Sequence, residues 1–270
     1  MISPHFLYGT AWKEDRTQSC VTSALEAGFR AIDTANQRKH YHEAGVGEAL
    51  KASSIPRSEL FLQTKFTPQR GQDHRLPYDP NAPIATQVKQ SFEKSLEHLH
   101  TDYLDSYVLH GPSIPDGPHL GKEDWEAWGA MEALYNEKRT RFLGVSNVTA
   151  SQLKELNENA KVKPKFAQIR CFARAGWEKE KRAYCREHGI VFQGFSLLTA
   201  NKDFLNGAYI QELVERLKIT PSQVIFIFAR QIGMLPMTGT TDPIHMRHDL
   251  ESLSLTVGNE EMKAIEAIAT

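Results

Sequence analysis

The chain has 270 residues, 40% of them hydrophobic and 24% charged, with a formal net charge of -1 at pH 7. This composition suits one large soluble domain spanning residues 1–270 and leaves no broad basic or acidic footprint for nucleic acid or an anionic membrane. No apolar run reaches the roughly 18 residues of a membrane span, and the opening stretch MISPHFLYGTAWKEDRT lacks the basic start and apolar core of a secretory signal.

The first apolar run, Phe6 to Gly9, reads as a strand, and Asp15 to Ala27 follows with Cys20, Val21, Ala24 and Leu25 at helical spacing. The same alternation recurs. Strands are expected at Ala31 to Thr34, Leu60 to Lys65, Asp105 to His110, Arg141 to Ser146, Phe166 to Arg170, Ile190 to Ser196 and Met234 to Thr238. Helical patterns separate them at Gly45 to Ala52, Ala82 to Leu99, Trp125 to Glu137, Ala150 to Asn159, Glu178 to His188 and Ser222 to Gln231. Thr149 and Thr220 read as N-caps and Gly189 as a C-cap. Strands that alternate with helices in this way predict an α/β fold, a (β/α)8 TIM barrel rather than an open sheet, and no GxGxxG or GxxxxGK[ST] motif supports a Rossmann or P-loop alternative. Cys20, Cys171 and Cys185 lack metal-type or CxxC spacing. They read as reduced thiols of a cytoplasmic protein without a metal site.

Asp33, Lys65 and His110 end the second, third and fourth strands, so barrel closure gathers them at one mouth. An Asp beside a Lys forms a buried pair whose cation is expected to favour phenolate on a nearby tyrosine, and Tyr41 is the nearest phenol. His110 is suited to hydrogen-bond a carbonyl oxygen as charge develops on it. The arrangement is apparatus for protonating a carbonyl and lacks a hydride source. The Pro- and Gly-rich segments 67–83 and 111–124 follow Lys65 and His110 and are expected to shape a substrate site.

The stretch Gly28 to Ala35, with Tyr41, Thr64-Lys65, His110-Gly111-Pro112, Gly144-Val145-Ser146-Asn147 and Gln168, resembles the ordered motifs of the aldo-keto reductase family. The resemblance implies a nicotinamide cofactor across the barrel mouth and reduction of an aldehyde or ketone, with Asp33, Tyr41, Lys65 and His110 as catalytic residues. It further implies cofactor contacts from Gly9, Thr10, Asp33, Ser146, Asn147, Gln168, Phe195, Ser196, Leu198, Met237, Thr238, Gly239, Thr240 and His245. Specificity is expected to rest on Trp12, His42, Phe66 and Trp125. Gly111 stands where many members carry a bulky Trp.

Three departures bear on this reading. Counting back from Glu43 without a gap places His40, not Tyr41, at the acid's position; Tyr41 is chosen because its phenol has the required chemistry. Met237 stands where the family often has Lys, and His245 near its Arg, which depletes the clamp on a 2′-phosphate; NADPH is the first choice and NADH the alternative. The N-terminal hairpin looks reduced and the C-terminal tail short, with a last helix over Asn259 to Thr270. Reduction of an imine or enone, and a noncatalytic nicotinamide-binding regulatory subunit, are the competing functions. A small-molecule carbonyl is the expected partner, and a monomer the expected state.

Overall fold

Each apolar run is followed by a helix with one apolar stripe, and such a stripe is buried by packing onto the outside of a parallel sheet. In the computed structural model, which describes residues 4–267, eight strands do this: β1 (Leu7–Gly9), β2 (Ala31–Asp33), β3 (Phe61–Phe66), β4 (Leu104–Leu109), β5 (Thr140–Ser146), β6 (Phe166–Arg170), β7 (Val191–Phe195) and β8 (Leu235–Thr238). Neighbours in sequence pair in parallel, and β8 returns to β1, Leu7 opposite Met237, to close the barrel.

The two-residue period of a strand sorts the barrel interior into layers. Leu7, Ala31, Phe61, Phe166 and Leu235 form an apolar floor, with Phe142, Val191 and Met237 packed against it. One step up the same strands come Asp33, Gln63, Gln168 and Gln193, paired as Asp33 opposite Gln63 and Gln168 opposite Gln193. The large core lies between the barrel wall and the helices, with Phe92, Trp128, Trp177 and Phe226 fully buried there.

Local signals set the element ends. Gly28, at φ 117°, closes the helix Thr17–Ala27 in a left-handed conformation, its N–H bonding back to Ala24 O. Thr149 and Thr220 accept from Gln152 N and Gln223 N at 3.2 Å each, so both are reciprocal caps. Gly47 permits the helix Glu43–Ala52 to sit against Ile84–Leu99, because a Cβ there would lie 1.7 Å from His98 O. Three helices beyond those expected, the short Lys202–Leu205 and the longer Ala208–Leu217 and Pro243–Glu251, lie in the last third of the chain. The last helix is described over Asn259–Ala267, and residues 268–270 of the expected span lie outside the described residues. Among the described residues no helix is long and apolar enough to cross a membrane.

Candidate active site

Strand parity aims Asp33 and Lys65 into the barrel, where water does not reach either side chain. Lys65 Nζ donates to Asp33 Oδ2 at 2.7 Å and to Thr34 O at 2.7 Å. The other carboxylate oxygen, Asp33 Oδ1, accepts from Gln63 Nε2 on the adjacent strand at 2.7 Å and, across the lumen, from Gln168 Nε2 at 2.9 Å. Gln63 and Gln193 bond reciprocally at 2.8 and 3.0 Å. A buried carboxylate is tolerable only with this degree of satisfaction. Gln168 was expected here as a cofactor contact, whereas Gln63 and Gln193 were not: in sequence each is a polar step in a strand, and only closure joins them to Asp33 and Gln168.

Tyr41 lies above this pair. Its ring centroid is 5.2 Å from Lys65 Nζ and 5.9 Å from the His110 ring, which it meets edge-on. The expected depression of its phenol is not what the structure gives. Burial raises the pKa and the charge of Asp33 raises it further, while Lys65 directs its hydrogen bonds to Asp33 and Thr34 O and makes none to the hydroxyl. Lys65 itself is lowered by burial, with Asp33 opposing. Tyr41 is therefore a phenol that keeps its proton throughout the neutral range.

His110, half-buried, is pushed well below the ordinary histidine value by burial, then by the positive groups Lys65, His40 and Arg70. The imidazole is thus neutral, and Thr67 Oγ1 lies 2.7 Å from its Nδ1. With the Thr67 hydroxyl as donor, the ring proton resides on Nε2, which is then free to donate to a carbonyl oxygen. Thr67→Val keeps the shape and deletes that hydroxyl; kcat for a carbonyl substrate is expected to fall about tenfold, the equivalent of ~1.4 kcal/mol. Thr67→Ser should restore it. Unchanged kcat in Thr67→Val, measured at saturating substrate, would remove Thr67 from any role in orienting His110.

A crevice of about 310 Å3 opens at this mouth, lined among others by Gln37, His40, Arg70, His110, Gly111 and Asn147. The His40 ring lies tilted against the exposed Trp12 ring with centroids 3.9 Å apart, and its pKa is lowered, by burial first and then by Lys39. Tyr41 and His42 line a second crevice of about 340 Å3 on the other side of Gln37, which borders both. Phe66 does not reach either: its even parity turns it outward, where it is buried against the Tyr78 ring at 5.7 Å. Trp125 is partly buried against the outer core, within the helix Lys122–Asn136.

The residues expected to hold a cofactor divide by what their polar atoms already do. Asn147, held at φ 55°, donates from Nδ2 to His110 O at 2.9 Å and to Ser146 Oγ at 3.0 Å, leaving Oδ1 without a partner among the described residues. Gln168 donates to Asp33 and Gln193, so its Oε1 is likewise unengaged. Ser146, fully buried, donates to Gln168 O at 2.9 Å and serves to hold Asn147. Thr10 Oγ1 donates to Asp33 O at 3.0 Å. Two free amide oxygens, and the half-exposed Phe195 at the end of the strand that pairs with the Gln168 strand, fit in kind the carboxamide and ring face of a nicotinamide. Ser196, at φ 56°, and Leu198 continue the turn after β7.

At the end of β8, Met237 packs against Gly9, where a Cβ would meet its sulfur at 2.9 Å. Thr238 Oγ1 donates to Asp249 Oδ2 at 2.7 Å, and burial raises the Asp249 carboxyl to about 6. Gly239, Thr240 and His245 follow, the last at the start of a helix capped by Asp242. Lys13 was not among the expected residues, yet its Nζ reaches Gly239 O at 2.8 Å and lies 5.1 Å from the Tyr8 ring centroid. It brings a cation back to the strand end where Met237 brings none; burial lowers its pKa to about 8.

The family model described as the Aldo/keto reductase family matches residues 7–270. The glyoxal reductase of Bacillus subtilis (strain 168) is 30% identical over 250 residues, 92% of this chain and 82% of that protein. The 9,11-endoperoxide prostaglandin H2 reductase of Trypanosoma cruzi (strain CL Brener) is 28% identical over 256 residues, 93% and 82% of the two chains. Among solved structures, the aldo/keto reductase from Brucella melitensis superposes with a TM-score of 0.83 at 26% identity, over 98% of this chain and 95% of that one. With a closed eightfold barrel and a family match along almost its whole length, the chain belongs to the aldo/keto reductase family and is an oxidoreductase.

Proposed function

We propose that the protein reduces an aldehyde or ketone to an alcohol with NADPH, Tyr41 being the proton donor. One observation carries the reading: the sealed Asp33–Lys65 pair at 2.7 Å with the Tyr41 and His110 rings in edge contact above it, Tyr41 and His110 lining the two crevices that meet at Gln37. The bound reduced nicotinamide supplies a hydride. Asn147 Oδ1 and Gln168 Oε1 would hold its carboxamide, Phe195 would cover its ring, and Lys13, Thr238, Gly239, Thr240 and His245 would hold its phosphate end. His110 Nε2–H orients the carbonyl oxygen, and the Tyr41 hydroxyl donates to that oxygen as charge develops on it. Lys65 places a positive charge beneath the nascent tyrosinate, and Asp33 keeps that charge buried. The B. subtilis relative is named for glyoxal, an aldehyde, which agrees with this class of substrate.

Loss of NADPH absorbance with a panel of aldehydes, ketones and imines tests the reading, with nucleotide binding measured separately. Turnover of aldehydes or ketones is expected. Tight nucleotide binding with no turnover of any of them would favour a regulatory subunit, and turnover of imines alone a biosynthetic reductase.

A further inference from the structure

We propose that Arg70, leaning over the bare backbone of Gly111, forms an anion-binding subsite of the crevice, so that the preferred carbonyl substrates carry a carboxylate or phosphate group. The proposal deepens the carbonyl-reductase reading and rests on it.

Arg70 belongs to the short 3-10 turn Gln69–Gly71 that follows β3, and its side chain crosses to the β4 side of the mouth, where Nη2 donates to Pro112 O. A Cβ built on Gly111 would lie 3.5 Å from that Nη2 and 3.7 Å from Asn147 Cβ. Gly111 has no left-handed φ, so the backbone does not require glycine there. What the missing side chain provides is room: any large residue would occupy the space between the guanidinium and Asn147. The guanidinium is thereby held next to His110, the group that orients the carbonyl.

The charge at this wall is unmatched. Arg38 and Arg75, from the same rim, pair with Glu14 and Asp73, whereas Arg70 forms no ion pair among the described residues. Among the described residues no Asp or Glu lines the crevice. The donors Nε and Nη1 of Arg70 have no acceptor among the described residues, and a guanidinium edge with free donors matches a carboxylate or phosphate. Its field already reaches His110 together with those of Lys65 and His40. This anion is not the cofactor's phosphate by position: Lys13, Gly239 and Thr240 lie at β8, separated from β3 around the barrel by β1 and β2.

The test compares kcat/KM for 4-carboxybenzaldehyde against benzaldehyde, and for glyceraldehyde 3-phosphate against glyceraldehyde. The protein should prefer the charged member of at least one pair, and which pair distinguishes carboxylate from phosphate. In Arg70→Gln that preference should fall about ten- to a hundredfold, mainly through KM, since the bond lost is to a charged group. Arg70→Lys should retain part of it, and Gly111→Trp should abolish it. No preference for either charged aldehyde, a preference unchanged in Arg70→Gln, or an equal loss of NADPH affinity would each overturn the subsite. If no carbonyl is reduced at all, the reductase reading fails, and calorimetric titration of benzoate and inorganic phosphate then decides the subsite alone. Binding that depends on Arg70 supports it, and binding indifferent to Arg70→Gln refutes it.

Discussion

Tyr41→Phe is expected to lower kcat for an aldehyde by about 100- to 10,000-fold, the usual contribution of a general acid, with NADPH affinity little changed. The substitution deletes one hydroxyl and keeps the ring that packs edge-on against His110. His40→Ala should be far milder, although His40 lines the same crevice as His110. The two pKa directions decide between them. Burial and Asp33 keep the Tyr41 proton in place well above neutrality, whereas burial and Lys39 push His40 below the ordinary histidine value. An imidazolium donor at His40 would therefore already be depleted at pH 7, and its rate would decline with rising pH below the ordinary histidine range. With Tyr41 as donor, kcat should hold through neutrality into the alkaline range. A near-normal Tyr41→Phe enzyme beside an inactive His40→Ala enzyme, with rate falling across the acidic arm, would transfer the role to His40.

Much of the barrel was legible in the sequence because its signals are local. Apolar runs ended by Asp33, Lys65 and His110 mark strand ends, and Gly28, Thr149 and Thr220 do in the structure what their side chains predict. The helix Ala208–Leu217 was overlooked despite a readable pattern, with Ile210, Leu213, Val214 and Leu217 on one face. Its extra place between β7 and β8 breaks the one-helix-per-strand rhythm that guided the reading. The site was legible only as far as single strand ends reach. Gln63 and Gln193 are 130 residues apart, and Lys13 and Gly239 are 226 apart, so their contacts exist only once the barrel closes. The Tyr41 pKa is a different case: the Asp33–Lys65 pair was expected, but the sequence does not show that burial and the charge of Asp33 outweigh the cation at the phenol. Phe66 was assigned to the site by adjacency to Lys65, although strand parity turns neighbours to opposite faces.

Lys65→Met should remove turnover and also destabilise the fold by about 3 to 5 kcal/mol, because it leaves Asp33 buried without its cation. Gln63 and Gln168 still donate to Oδ1, but Oδ2 loses the 2.7 Å bond to Nζ, and Thr34 O loses a donor as well. Neutral amides do not cancel a full charge in a site closed to water. Asp33→Asn combined with Lys65→Met removes both charges at once and should recover much of the lost stability in denaturant melts. It should recover no turnover, since the positive charge beneath Tyr41 stays absent. This separation distinguishes two roles for one side chain: stability depends on the sum of the pair's charges, and proton donation on the cation alone. Equal instability of the single and double variants would mean that packing, not charge, sets the cost of losing Lys65. Turnover returning in the double variant would show that Tyr41 works without a cation beneath it.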